Sequence, residues 1–128
     1  MILPDTSCWI HWIRHPDRLD DAGPRFQEFL TCGPILQEVM QGLDHSPYAG
    51  QVREAMLAIP RIGDPLELKT FLEAAEIYKE GRRRGYTIRS ATDCLIAALA
   101  LGHGATVWHK DRDFTNIARY TPLRTEAV

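Results

Sequence analysis

Apolar and polar positions alternate along the chain between a period of two and a period near 3.6. Met1 to Pro4 is a short apolar run ending at Asp5, strand-sized, and behind it Trp9, Trp12 and Ile13 recur on one face of a predicted helix. Pro24 to Leu30 carries a helical pattern that Thr31-Cys32-Gly33-Pro34 breaks, with room for a short strand over Thr31 to Gly33. Ile35, Leu36, Val39, Met40 and Leu43 then resume helical spacing. Over Pro47 to Ile59, Tyr48, Val52, Ala55, Met56 and Ile59 share a face, and Pro60 to Asp64 is again strand-sized. A longer helix is expected from Pro65 to about Arg84, with Leu68, Phe71, Leu72, Ala75 and Tyr78 as its buried stripe and Glu67, Lys69, Glu73, Glu76 and Glu80 toward water. Gly85 stops it. Ser90 to Leu101 is apolar nearly all round, which predicts a helix enclosed in the domain. Ala105 to Trp108 reads as a buried strand, followed by a helix from about Phe114 to Arg119 and a terminal strand near Leu123.

Strands alternating with helices predict an α/β fold, a three-layer α/β/α sandwich around a central, mainly parallel sheet. A chain of 128 residues with no repeat, linker or low-complexity stretch fits one domain, 1–128. A hydrophobic fraction of 45% and a charged fraction of 25% exclude disorder, collagen and coiled coil. No apolar run approaches the roughly 18 residues of a membrane span, and the start lacks the basic-then-apolar order of a signal peptide, so a cytoplasmic protein is expected. Cys8, Cys32 and Cys94 lack metal-site spacing and read as small buried residues in a reducing compartment. A net charge of −2 argues against a broad nucleic-acid-coating face.

Charge changes the picture through its placement. In parallel sheets sites form beyond the carboxyl ends of the strands. Asp5 ends the first strand, Asp111 follows the strand at Val107, and Glu38 and Asp93 stand in the first turns of helices that begin after a break. Four gathered carboxylates would raise one another's pKa, a conflict that magnesium with its oxygen ligands removes. A bound divalent ion suits phosphodiester hydrolysis, alone or as one of a pair. Singly, each acid also has a structural reading: Asp5, Asp111 or Asp113 as a helix cap, and Ser90-Ala91-Thr92-Asp93 as a capping box. Glu38 lies beyond capping range and reads equally as a site residue or as the solvated flank of its helix.

Four blocks in order resemble the PIN-domain nucleases, and within them the VapC toxins of toxin–antitoxin pairs. They are Ile2-Leu3-Pro4-Asp5-Thr6-Ser7-Cys8-Trp9-Ile10, Leu36-Gln37-Glu38-Val39-Met40-Gln41-Gly42, Ala91-Thr92-Asp93-Cys94-Leu95-Ile96-Ala97 and His109-Lys110-Asp111-Arg112-Asp113-Phe114. The resemblance spans nearly the whole chain. It implies a Mg2+- or Mn2+-dependent endoribonuclease, usually dimeric, neutralised by a VapB-type antitoxin, with Asp5, Glu38, Asp93 and Asp111 as catalytic and metal-binding acids. Pro4 departs from the aliphatic residue usual before the first Asp, and Asp113 competes with Asp111 for the fourth position.

Around this quartet, Thr6 or Ser7 is a candidate to orient Asp5, with helix capping as the alternative. Lys110 and Arg112 are candidates for RNA phosphate contact, ahead of Arg82-Arg83-Arg84, which suit a helix C-terminus. His109 reads as a polar surface residue sooner than a proton donor. Trp9 and Trp12 read as core or subunit contact, and the apolar area they offer favours a homodimer. The competing functions are a catalytically inactive PIN-like protein-binding module and a haloacid-dehalogenase-like phosphatase. The first sits poorly with four acids in order, and the second with Ser7 where that chemistry wants a second Asp.

Overall fold

The computed structural model describes residues 1–43 and 47–128. Strand β1 (Ile2–Pro4) leads into helix α1 (Thr6–Arg14), and two 3-10 turns, Pro16–Asp21 and Gly23–Glu28, carry the chain to α2 (Gly33–Gln41). Helices α3 (Ala49–Ala58), α4 (Leu68–Arg83) and α5 (Ala91–His103) follow, then β2 (Thr106–His109), α6 (Arg112–Ala118) and β3 (Thr125–Ala127). The sheet runs β1-β2-β3, all parallel, with Pro4 beside Trp108 and His109 beside Ala127.

Beyond β1, among the described residues, the sheet continues only as single parallel bridges, Ile2 to Phe29 and Thr31 to Arg61. The strand-sized segments near 31 and 60 are therefore present as bridges and not as ladders. Successive strand residues face opposite sides of a sheet, and all three residues of β1 and the last three of β2 are buried, so both faces are covered. This is the expected parallel sheet flanked by helices. No helix among the described residues is long and apolar enough to cross a membrane.

Three expectations need correction. Residues 23–28 wind as a 3-10 turn with no buried residue, because Phe29 must leave helical geometry to pair with Ile2. Trp9 and Trp12 are each 4% exposed: they pack edge to face at 5.3 Å, and Trp12 stacks on Phe29, so they belong to the core and give no outward dimer face. On α4 the buried residues are Ala74, Ile77 and Gly81, while Leu68 is 73%, Phe71 47% and Leu72 60% exposed. Small residues let α4 lie close against α5, its most extensive helix contact. That leaves the larger apolar residues at its start on the outside.

Gly81 marks another close approach, of the end of α4 to Tyr120 and Tyr86. A Cβ there would stand 2.6 Å from the Tyr120 hydroxyl and 3.1 Å from the Tyr86 carbonyl, and Tyr120 is itself tied to the Ile77 carbonyl at 2.8 Å. Gly102, also helical, has nothing within 4 Å. Gly81→Ala is expected to destabilise the fold by about 1–3 kcal/mol through overpacking, whereas Gly102→Ala should stabilise it by up to about 1 kcal/mol through helix propensity. Urea unfolding of both variants checks the contrast.

Candidate active site

The carboxyl ends of β1 and β2 lie side by side, and the acids gather there. Asp5 leaves β1 and caps α1: its Oδ1 accepts from the Cys8 backbone N–H at 3.1 Å and from the Ser7 hydroxyl at 2.5 Å. The Ser7 oxygen in turn accepts from the Lys110 N–H at 2.9 Å, and the Asp5 N–H donates to the Trp108 carbonyl. Ser7 thus ties the two strand ends together. The Thr6 hydroxyl is buried and finds no partner among the described residues.

Asp111 caps α6, its Oδ1 accepting from the Asp113 N–H at 2.9 Å. One oxygen from each of Asp93, Asp111 and Asp113 lies within 4.8 Å of the other two. Asp93 is 9% exposed and Asp113 2%, while Asp111 keeps access to solvent. The capping box is not formed, because Ser90 makes no side-chain cap and only its carbonyl takes the Asp93 N–H. Asp93 is therefore held by its place on α5 and not by a capping duty.

Burial raises the Asp93 carboxyl, and a hydrogen bond with Asp113 and the charges of Asp111, Asp113 and Asp5 raise it further, to about 8. Burial also raises Asp5, against the opposing effects of Ser7, the Cys8 N–H and His109. Asp93 Oδ2 is buried and unpartnered among the described residues. A buried oxygen without a donor is rare in folded proteins, and three carboxylates around it suit a hard divalent cation. The donor set fits such an ion on these grounds.

Glu38 stands apart. It is half-buried on α2 and lines a groove with Thr92, Leu95 and Phe71, outside the group formed by Asp93, Asp111 and Asp113. Asp5 also lies outside that group, though its charge adds to the field at Asp93. His109 is 3% exposed, against the surface reading, since β2 carries it inward beside Phe114 and its charge acts on Asp5. Lys110 reaches the Val128 carbonyl, and Arg112 is exposed at the start of α6. Arg83 and Arg84 both pair with Glu80 near the end of α4. Burial lifts the Cys94 and Cys32 thiols to about 11, so they stay protonated and unreactive.

Sequence reasoning passed over Arg89. Its Nη2 lies 3.0 Å from Asp111 Oδ1, its Nε 3.5 Å from Asp113 Oδ1, and its backbone N–H donates to Asp113 Oδ2 at 3.1 Å. The pairing spans 22 and 24 residues. No local spacing marks it.

A family model for the PIN domain matches residues 2–120. VapC ribonuclease Mb1587 of Mycobacterium bovis and ribonuclease VapC11 of Mycobacterium tuberculosis are each 37% identical, covering 97% of the chain and 96% of the relative. Among solved structures, VapBC2 from Rickettsia felis bound to a promoter DNA fragment matches with a TM-score of 0.72 at 20% identity, over 100% of this chain and 99% of that one. VapBC-1 from nontypeable Haemophilus influenzae matches with 0.73 at 17% identity, over 99% and 98%.

Asp93→Asn separates burial from charge, because Asn keeps the shape. Unfolded, Asp93 titrates near its ordinary value of 3.8 and folded near 8, so between these values the native state holds a proton the unfolded chain has released. Its contribution is fully present below pH 4 and is lost as pH rises through about 8. Without divalent ions, the variant should gain stability relative to wild type between about pH 5 and 8. Denaturant unfolding at both pH values checks this; an offset independent of pH would contradict it.

Proposed function

The chain belongs to the PIN-domain family, and on that premise we propose that it is a metal-dependent endoribonuclease, the toxin of a VapBC-type toxin–antitoxin pair. The 37% identity to two VapC ribonucleases over 97% of the chain supports the activity. The observations that carry the metal requirement are the buried, unpartnered Asp93 Oδ2 and the gathering of one oxygen each from Asp93, Asp111 and Asp113 within 4.8 Å.

In this reading Asp5, Asp93 and Asp111 hold Mg2+ or Mn2+, and Glu38 borders the substrate from α2. Asp111 is preferred to Asp113 as the fourth acid because it is open to solvent, whereas Asp113 is buried, with Oδ2 accepting from the Arg89 N–H and Oδ1 ion-paired with its guanidinium. A bound divalent ion supplies an activated water and neutralises developing charge on phosphate oxygens. The chain's own residues orient the site: Ser7 fixes Asp5 and couples it to the Lys110 loop, while Lys110 and Arg112 flank the acids where a phosphate backbone must pass.

The partners proposed are RNA, a cognate VapB-type antitoxin and a second copy of the chain in the cytoplasm. The exposed Leu68, Phe71 and Leu72 support a second copy better than the buried tryptophans do. Light scattering is expected to give twice the 14.5 kDa chain mass at micromolar concentration, and a monomer throughout would remove that partner.

Cleavage of RNA with Mg2+ or Mn2+, and its loss on chelation, tests the activity. Asp5→Asn, Asp93→Asn and Asp111→Asn are each expected to lower the rate by more than the roughly 10–100-fold that removal of an outer-shell partner costs. Asp113→Asn should fall within that range. Chelator-resistant cleavage would contradict the reading.

A further inference from the structure

Arg89 touches two of the three clustered acids in two different ways. Its backbone N–H, fixed at the entry to α5, donates to Asp113 Oδ2. Its guanidinium reaches Asp113 Oδ1 and Asp111 Oδ1 from the solvent side, with the arginine side chain 58% exposed and Asp113 2% exposed. Asp113 therefore has both oxygens engaged by one residue, while Asp111 Oδ1 also serves the Asp113 N–H. Asp93 Oδ2, the third corner, receives nothing from the guanidinium or any other described group.

A guanidinium is a planar fork that matches two carboxylates and has no geometry for a third in the interior. A divalent ion is the reverse, compact and able to take one oxygen from each of three acids. The two cations draw on the same Asp111 carboxylate and repel one another, and only one is held by an exposed, flexible side chain.

We propose that Arg89 is a positioning residue whose guanidinium and the divalent ion hold Asp111 in turn. Without metal the guanidinium keeps the acids gathered against their repulsion. With metal bound, the Asp111 carboxylate would turn to the ion and the guanidinium to solvent, while the Arg89 N–H keeps Asp113 in place. Arg89 thereby preassembles the site and sets its affinity for metal. The inference rests on the metal reading above.

Two measurements on the intact chain test it. In 15N-labelled wild type, the Arg89 Nε–H resonance, assigned by its absence in Arg89→Gln, is expected to shift and exchange faster with water on saturation with Mg2+. In calorimetric titration with Mn2+, Arg89→Gln should bind several-fold more tightly than wild type and Arg89→Lys close to wild type. Metal-free, Arg89→Gln should melt lower, with the gap closing when Mn2+ is present. An Nε–H signal unmoved by saturating Mg2+, or Mn2+ binding to Arg89→Gln that is equal or weaker, would overturn the exchange. Failure of wild type to bind Mn2+ at all would remove the metal site itself and the exchange with it, a result distinct from the other two.

Discussion

Like charge confined to the dry end of a parallel sheet is the constraint on which the site depends. Two unit charges 4.8 Å apart repel by roughly 3 kcal/mol at an effective dielectric constant near 20. That is a large part of the roughly 5–15 kcal/mol by which a domain is stable. Asp93, Asp111 and Asp113 stand in this relation, with Asp5 close enough to add to it. The chain relieves the repulsion with a proton on Asp93 and the guanidinium of Arg89. The guanidinium does not reach Asp93 Oδ2, a buried acceptor that suits a divalent cation.

Helix capping and metal binding, which compete as readings of the sequence, coexist in the fold. Asp5 and Asp111 each use Oδ1 to cap a helix, and the cap fixes the direction of the carboxylate. Capping by one oxygen leaves the other for a ligand, so α1 and α6 aim the acids while anchoring themselves. Asp93 shows the opposite arrangement: α5 supplies rigidity through its buried faces, and the carboxylate takes no part in the cap.

The enclosed helix α5, the strands at residues 2–4 and 106–109 and the order of the acids were legible because each leaves a local pattern. The exposed apolar start of α4 was not, since amphipathic spacing tells which residues share a face but not whether this chain covers it. Ala74 and Gly81, which are buried, carry too little apolar area to outweigh Leu68, Phe71 and Leu72 in such a pattern. Bridges of one residue at Phe29 and Thr31 are too short for any period to register. Arg89 was invisible for another reason, as its partners lie more than 20 residues away and only the packing of α5 against α6 and β2 brings them together. His109 looked like a surface residue because its burial comes from Phe114 and the strand end.

The most direct test of the account is anomalous diffraction from crystals of the chain grown with Mn2+. The account predicts a manganese peak at coordination distance from carboxylate oxygens of both Asp93 and Asp111, with Asp93 Oδ2 no longer unpartnered. A fully occupied manganese site elsewhere, with these acids still bridged by Arg89 alone, would contradict it.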